Sequence, residues 1–169
     1  CFGADGAMLA PAGYYRILGR ADDVINVAGH RLGTKELESA CLTVSSVAEA
    51  AVVPVVDEIK GRLPVVYVAL KPGISEKGVP QELIVVIETM IGKIARPKSV
   101  HVVPDLPKTR PGKIMRRVLA AISNTMDVGD VTTLANPEIV EQIRKQVQGE
   151  GPVVTKDGPE DLKRFGEQE

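Results

Sequence analysis

Residues 48–56 read Ala-Glu-Ala-Ala-Val-Val-Pro-Val-Val, and residues 63–71 read Leu-Pro-Val-Val-Tyr-Val-Ala-Leu-Lys. Both runs are short, almost continuously apolar and rich in β-branched residues, which predicts two strands buried on both faces. Pro54 and Pro64 cannot donate a ladder hydrogen bond, so part of each strand is expected near a sheet edge. A Pro-Gly pair ends the second run. We expect the fold to be organised around these two strands.

The segments on either side of this pair alternate between strand and helix patterns. Strands are expected at 14–19, 23–28 and 99–103, and a glycine-bounded turn at 29–33. The expected helices are one of roughly ten residues N-capped by Thr34, one over 80–95, one over 114–122, and one from Asn136 to about Gln148 with Pro137 at its first position. This order predicts a small α+β or α/β domain. Of the two, our prediction is an α+β fold with a small mixed sheet and flanking helices.

The composition indicates an aliphatic core and argues against a membrane-spanning protein, a metal-binding protein and a disulfide-stabilised protein. Hydrophobic residues make up 44% of the chain and aromatic residues 3%. No apolar run approaches the ~20 residues needed to cross a bilayer. Cys1 and Cys41 form neither a metal spacing nor a disulfide framework, and His30 and His101 lack a second ligand at metal spacing. We therefore expect no metal site and a reducing compartment, the cytoplasm or alternatively the mitochondrial matrix. The opening Cys-Phe-Gly, without Met, predicts a piece of a longer protein.

A cationic segment follows the last predicted strand. Lys93 to Arg117 contains eight Lys or Arg residues and one acid, a local charge of +7 in a chain of net charge −1. Within it, residues 106–117 read Leu-Pro-Lys-Thr-Arg-Pro-Gly-Lys-Ile-Met-Arg-Arg, which sets Lys113 on a Gly-containing turn. Phosphate, carboxylate or a polyanion would explain such a loop. From the loop alone, a solvated surface lysine is an equally good interpretation of Lys113.

Other polar residues are ambiguous by themselves. Asp5, Arg20 and Arg31 carry groups suited to diol or phosphate oxygens, although each is more often a surface salt-bridge partner. The break at residues 19–23 fits a hinge or a plain turn. Gly29 permits close approach of the protein backbone to a ligand, but a turn needs the same residue.

Two long motifs carry a resemblance to a known family. Residues 13–38 read Gly-Tyr-Tyr-Arg-Ile-Leu-Gly-Arg-Ala-Asp-Asp-Val-Ile-Asn-Val-Ala-Gly-His-Arg-Leu-Gly-Thr-Lys-Glu-Leu-Glu and resemble a core motif of adenylate-forming enzymes, most closely the acetyl- and propionyl-CoA synthetase branch. Residues 106–117 resemble that family's terminal motif. Residues 129–134, Gly-Asp-Val-Thr-Thr-Leu, resemble the tail of acetyl-CoA-synthetase-like members. The resemblance covers residues 1–148.

The resemblance implies the mobile C-terminal domain of an AMP-forming acyl-CoA synthetase. Residues 1–22 would end the N-terminal adenylation region and contain the hinge, and 23–125 would form the mobile domain. Residues 126–148 would be an extension with one helix, and 149–169 a linker or disordered tail. Because the family's large N-terminal domain holds most of the nucleotide and carboxylate pocket, we expect no synthetase activity from this chain alone.

The same resemblance implies roles around the nucleotide. Asp5 and Arg20 match residues that contact the AMP ribose, and Arg31 matches an arginine near the phosphate. Lys113 matches the lysine required for adenylation. Two departures stand out: Pro111 replaces the usual serine and is expected to stiffen the loop, and Gly-Ala replaces Thr-Gly before Asp5.

Further roles concern the change of domain orientation between the two half-reactions. Asp22 matches the hinge, and Gly29 matches a loop that lines the pantetheine tunnel of CoA. Glu88 stands where some acetyl-CoA synthetases have an arginine for the CoA 3′-phosphate. Arg96 is then expected to bind CoA, with Lys93 or a different binding mode as alternatives.

The implied reaction joins acetate, propionate or 3-hydroxypropionate to CoA with ATP, through an acyl-adenylate, releasing AMP and pyrophosphate. ATP with Mg would bind mainly to the N-terminal domain, and CoA is a substrate. The expected partner is that N-terminal domain, with no nucleic acid or membrane partner. One alternative is the ligase domain of a multifunctional propionyl-CoA synthase. Another is a nonenzymatic module whose basic loop binds nucleic acid or an acidic protein, although few aromatic side chains could stack on bases.

Overall fold

The structure, a computed structural model, describes residues 24–149 and the backbone of three further strands. Two of these, β1 (Asp5–Leu9) and β2 (Tyr15–Arg20), pair antiparallel in a two-stranded sheet. The third, β8 (Val153–Val154), pairs with a strand of the main sheet. Two residues of the segment predicted as a linker or disordered tail are therefore part of a sheet.

Six strands of the described chain form one mixed sheet with four helices beside it. Its strands are β3 (Val24–Val27), β4 (His30–Gly33), β5 (Val47–Asp57), β6 (Gly61–Leu70), β7 (Ser99–Val103) and β8. The helices are α1 (Thr34–Leu42), α2 (Val79–Met90), α3 (Arg116–Ser123) and α4 (Glu138–Gly149), and a 3₁₀ turn covers Lys93–Ala95. β6 pairs antiparallel with β5 and parallel with β7. The prediction of an α+β fold with a small mixed sheet is confirmed.

The two apolar runs form the long hairpin β5–β6, paired from Val47↔Leu70 to Asp57↔Gly61. Their side chains alternate between two cores because successive residues of a strand point to opposite faces. The core beside α1 and α2 takes from this hairpin Ala50, Val52, Val66 and Val68. The core beside α3 and α4 takes Ala51, Val53, Val55, Val65 and Tyr67. The predicted burial on both faces is therefore confirmed, and its cause is one pair of helices on each side.

The prolines sit where a missing N–H is tolerated. Pro54 lies on β5, which pairs only with β6 among the described strands and is therefore an edge. Pro64 lies on β6, one residue before its pairing with β7 begins at Val65↔Ser99.

Two local predictions are corrected. The segment predicted as a turn at 29–33 turns only at Ala28–Gly29, and His30–Gly33 then forms β4 against β3. Thr34 is not the N-cap of α1: it is the first helical residue, and Gly33 occupies the cap position with φ −77° and ψ 127°. Because β4 runs directly into the helix, the Thr34 hydroxyl is buried without a hydrogen-bond partner. None of the described helices has the length and hydropathy required to cross a membrane.

Candidate functional site

Lys113 lies in a small loop whose neck is closed by backbone contacts. An isolated antiparallel bridge joins Lys108 to Ile114, and the Thr109 N–H donates to the Lys113 carbonyl at 2.8 Å. At the tip, the Gly112 N–H donates to the Thr109 carbonyl at 2.8 Å, and Gly112 has φ +89°, which glycine adopts without strain. We call residues 108–114 the lysine loop. Its backbone is ordered by its own hydrogen bonds.

The lysine loop presents cations that the domain does not neutralise. Lys113 and Arg110 are exposed, and neither forms an ion pair with any described residue. Beside them, a shallow groove is lined by Thr109, Arg110, Pro111, Thr132 and Thr133. The Lys113 ammonium extends from a hydrogen-bonded turn and has no ion-pair partner among the described residues, so it is available to an anion that approaches from outside.

Lys108, by contrast, is an internal cation. Its Nζ lies 2.6 Å from Glu49 Oε2 and 2.9 Å from Asp105 Oδ1. The hydrogen bonds from Lys108 to Glu49 and then to Asp105 raise the pKa of its ammonium above the usual value. Partial desolvation opposes ionisation of Asp105, but hydrogen bonds from Lys108 and from the Leu106 N–H outweigh it and lower the pKa of that carboxyl. Lys108 therefore anchors the start of the lysine loop to β5.

The two arginines after the loop are also engaged by the domain. Arg116 forms a two-point ion pair with Glu38 of α1, with its Nη2 2.6 Å from Oε2. Arg117 donates to the carbonyl oxygens of Val128 at 2.6 Å and Asp130 at 2.7 Å. Both of these cations of the terminal motif are thus structural, which separates them from Lys113.

Asn136 has a use that the sequence did not predict. Helix α4 begins at Glu138, and the Asn136 carbonyl accepts from the Ile139 N–H at 3.2 Å. Its side chain, however, points away from the helix: Oδ1 accepts from the Lys108 N–H, and Nδ2 donates to Asp105 Oδ2 and to the Leu106 carbonyl, each at 3.0 Å. The side chain of Asn136, the residue at which the helix was predicted to begin, instead joins the extension to the lysine loop.

The predicted nucleotide-binding residues lie at the start of the chain. In the β1–β2 pairing, Asp5 and Arg20 are directly opposed backbone partners. Arg31 is an exposed residue of β4. Asp22, the predicted hinge, lies outside the described residues.

The predicted CoA-binding residues lie apart from the lysine loop in the sequence. Gly29 is in the β3–β4 turn with φ +85°, and a Cβ added there would meet no atom within 4 Å. The turn therefore needs glycine for its backbone conformation, and its outer side is open. Arg96 Nη1 lies 3.2 Å from Glu88 Oε1. The cation predicted to bind CoA is therefore paired with Glu88, the carboxylate at the position where an arginine was expected from the family resemblance.

The carboxylates that organise this region were not predicted from the sequence. Glu38 lies on α1 one residue after the buried Leu37 and three residues before the buried Cys41. A charged side chain beside the buried face of a helix indicates that it has a partner within the fold. Glu49 is a weaker indication of the same kind, because it is an acidic residue within the otherwise apolar run of residues 48–56. No local pattern marks the hydrogen bond between Asp105 and Asn136, which lie 31 residues apart in the sequence.

Comparison with known proteins places this geometry in a family. Residues 36–113 match the family described as AMP-binding enzyme C-terminal domain. An acetyl-coenzyme A synthetase of Leptospira biflexa is 50% identical over 145 residues, which is 84% of this chain and 22% of that protein. The chain thus spans about a fifth of that relative's length.

Two solved structures show the same fold. An acyl-CoA synthetase from Brucella canis is 37% identical with a TM-score of 0.55, covering 68% of this chain and 21% of its own. ATP-bound MatB from Rhodopseudomonas palustris is 27% identical with a TM-score of 0.60, covering 69% and 23%. The motif resemblance, the family match and the fold agree. The chain belongs to the AMP-binding enzyme C-terminal domain family of the adenylate-forming enzymes.

Proposed function

We propose that this chain is the C-terminal domain of an AMP-forming short-chain acyl-CoA synthetase, a ligase. The observation that carries the proposal is Lys113: an exposed ammonium, without an ion-pair partner among the described residues, on a loop whose backbone is ordered and whose neighbours Lys108 and Arg116 are held by contacts within the domain. We call the protein that joins this chain to an N-terminal adenylation region the complete synthetase.

In the first half-reaction, a carboxylate oxygen attacks the α-phosphorus of ATP, and the bond to pyrophosphate breaks. Negative charge develops on the transferring group and on the leaving oxygens, and a positioned cation stabilises it most where water is excluded. Lys113 supplies that cation when its loop closes over the nucleotide. Protein contacts already hold Lys108 and Arg116, so neither is offered to the substrate in the same way.

In the second half-reaction, the CoA thiolate must reach the acyl-adenylate, which releases AMP. We propose that the domain turns about Asp22 and presents the open Gly29 turn in place of Lys113. Two observations support this. Gly29 joins strands that pack in the core beside α1 and α2, whereas Ile114 and Met115 pack against the core beside α3 and α4. The Gly29 turn and the lysine loop are therefore attached to cores on opposite faces of the sheet.

Nucleotide binding is shared with the N-terminal region in this proposal. The backbone pairing of Asp5 with Arg20 brings together the two residues assigned to the ribose. Arg31 would approach the phosphate. Mg would accompany ATP, held mainly by the N-terminal region.

Among carboxylates, acetate is the first choice because the curated relatives are acetyl-coenzyme A synthetases. Propionate and 3-hydroxypropionate remain as alternatives, since the carboxylate pocket would lie in the N-terminal region. The ligase domain of a propionyl-CoA synthase would perform the same steps. We assign the enzyme to the cytoplasm, with the mitochondrial matrix as the alternative.

The nonenzymatic binding module is less well supported. A polyanion would need several free cations along one surface. In this chain, contacts within the domain engage Arg96, Lys98, Lys108, Arg116 and Arg117. Most of the charge that suggested nucleic acid therefore has a structural role.

The test is Lys113→Ala in the complete synthetase, with Lys145→Ala as a charge-matched control, since Lys145 is an exposed lysine on α4. Two rates are measured: acyl-CoA formed from carboxylate and ATP, and acyl-CoA formed from supplied acyl-adenylate. We expect the first to fall by at least ~10²–10³ in Lys113→Ala and the second to survive. Equal loss in both, or no loss, would contradict the proposal, and so would the same pattern in Lys145→Ala.

A further inference from the structure

The extension before α4 holds the lysine loop through the side chain of Asn136. The amide makes three hydrogen bonds at 3.0 Å: it accepts from the Lys108 N–H and donates to Asp105 Oδ2 and to the Leu106 carbonyl. All three partners lie in the chain that enters the lysine loop. A single side chain thus fixes the direction in which that chain enters.

The backbone next to Asn136 strengthens the same contact. The Ala135 N–H donates to the Lys108 carbonyl at 2.8 Å, and an isolated antiparallel bridge joins Leu134 to Thr109. Lys108 therefore has both its N–H and its carbonyl held by residues of the extension. On its other side it forms the bridge to Ile114 that closes the loop.

Thr109 carries this constraint to the proposed catalytic lysine. The Thr109 N–H donates to the Lys113 carbonyl at 2.8 Å, and the Lys113 N–H donates to Thr109 Oγ1 at 3.2 Å. The path from Asn136 to the Lys113 backbone therefore passes through two adjacent residues. Every link in it is a hydrogen bond or a peptide bond.

We propose that Asn136 is a positioning residue for Lys113, so that the extension sets where the ammonium stands during adenylation. This inference rests on the proposed function of Lys113. Asn136 touches neither substrate nor reacting atoms, and its effect is geometric. A misplaced catalytic group loses rate because the reacting geometry is reached less often, and an error near 1 Å costs about a hundredfold.

The chemistry of the position requires an amide. The side chain must accept from one backbone N–H and donate to both a carboxylate and a carbonyl, and only Asn and Gln offer an acceptor oxygen and two donor hydrogens without charge. Asn136→Ala leaves these three partners without the amide. Asn136→Asp keeps an acceptor for the Lys108 N–H but sets a second carboxylate beside Asp105.

Asn124 is a matched control within the same domain. It is also half-buried, and its amide also makes three hydrogen bonds: from the Val56 N–H at 3.1 Å, to the Ala120 carbonyl at 2.8 Å and to the Pro54 carbonyl at 3.2 Å. These bonds join α3 to the end of β5 and do not reach the lysine loop. Asn124→Ala therefore removes equal hydrogen bonding without touching the proposed path.

The experiment compares Asn136→Ala, Asn136→Asp, Asn124→Ala and Lys113→Ala in the complete synthetase. For each, kcat and KM are measured for the two half-reactions, together with amide hydrogen exchange at Thr109 and Lys113 and the melting temperature. We expect Asn136→Ala to lower the adenylation kcat about tenfold or more, with thioester formation within twofold and exchange at both amides accelerated. Asn136→Asp should lower the same rate, and it provides the test if the alanine variant folds poorly.

Two outcomes would overturn the inference. One is an equal loss in both half-reactions, or the same loss in Asn124→Ala, which would indicate general destabilisation. The other is unchanged adenylation or unchanged exchange in Asn136→Ala. Lys113→Ala separates this failure from that of the proposed function: if Lys113→Ala keeps full adenylation, the function proposed for Lys113 is wrong, and exchange alone decides whether Asn136 orders the loop.

Discussion

Glu38 and Arg116, 78 residues apart in the sequence, meet in a two-point ion pair, with Nε 2.9 Å from Oε1 and Nη2 2.6 Å from Oε2. Glu38 Oε1 also accepts from the Val52 N–H of β5 at 3.0 Å. Because β5 pairs only with β6 among the described strands, that N–H lies at an edge of the sheet, and the carboxylate provides its acceptor. One side chain of α1 therefore joins an edge strand to the first residue of α3.

Glu38→Ala is expected to destabilise the domain by roughly 2 kcal/mol, because it leaves the Val52 N–H without its acceptor and removes the carboxylate from Arg116. Urea unfolding followed by circular dichroism measures this. Glu36→Ala, an exposed acid in the first turn of the same helix, should cost less than about 1 kcal/mol. If Arg116→Lys kept full stability, the two-point geometry would have no energetic role, since lysine cannot reproduce the fork.

His101 makes stability depend on pH. It is buried, stacks on Tyr67 with ring centroids 5.1 Å apart, and bonds to Ser99 Oγ through Nε2 at 3.0 Å. Burial lowers its pKa to about 4. The unfolded chain therefore binds a proton near pH 6.5 that the folded chain binds only near pH 4, so the free energy of unfolding falls as pH drops through that window, by at most roughly 3 kcal/mol.

The measurement is the urea midpoint at several pH values between 4 and 8. Above pH 7 this contribution is complete and the midpoint should be insensitive to His101 ionisation. His101→Asn should flatten the slope between pH 6.5 and 4. His30→Asn, at an exposed position, should keep it. An unchanged slope in His101→Asn would show that other groups cause the dependence.

Cys41 is expected to be inert in the folded protein. It is fully buried in the core beside α1 and α2, and desolvation, assisted by the charge of Glu38, raises its pKa to about 12. Since the thiolate is the reactive form, a thiol reagent at pH 8 should not modify Cys41 in a Cys1→Ser variant until urea unfolds it. Stoichiometric modification without denaturant would contradict this burial.

Gly112→Ala tests the conformation of the lysine loop. A Cβ at Gly112 would meet no atom within 4 Å, so the cost comes from φ +89° alone and is expected to be about 1–2 kcal/mol. Part of the loop should then open, seen as faster amide exchange at Lys113. Gly149→Ala, at an exposed position with an equally open Cβ site at the end of α4, should leave that exchange unchanged. Equal exchange in both variants would disprove the tight turn.

Glu88→Gln tests the predicted contact between Arg96 and CoA in the complete synthetase. Removing the carboxylate from Arg96 should make its guanidinium more available to the CoA 3′-phosphate and lower KM for CoA roughly two- to fivefold, the size of an exposed ion pair. Dephospho-CoA, which lacks that phosphate, should show no change. A similar gain with both would assign the effect to something other than the phosphate.

The sequence alone predicted the elements whose causes are local. The burial of β5 and β6 on both faces follows from their almost continuously apolar runs, and the family follows from the two motifs at residues 13–38 and 106–117. The turn predicted at 29–33 was wrong because those residues lie beside β3, and strand formation depends on a partner as well as on residue type. The roles of the predicted site residues stay predictions, since their ligands belong to the complete synthetase.

In the lysine loop, local sequence predicted which residues are present but not which of them have partners. Its sequence identified Lys113, Gly112 and an excess of positive charge, because these are properties of neighbouring residues. Which cations remain free was decided by the tertiary structure: Glu49 engages Lys108, Glu38 engages Arg116, and the extension holds the loop through Asn136. Hydrogen bonds and ion pairs act over about 3 Å, so their partners are determined by packing in space, and no spacing along the chain reveals them.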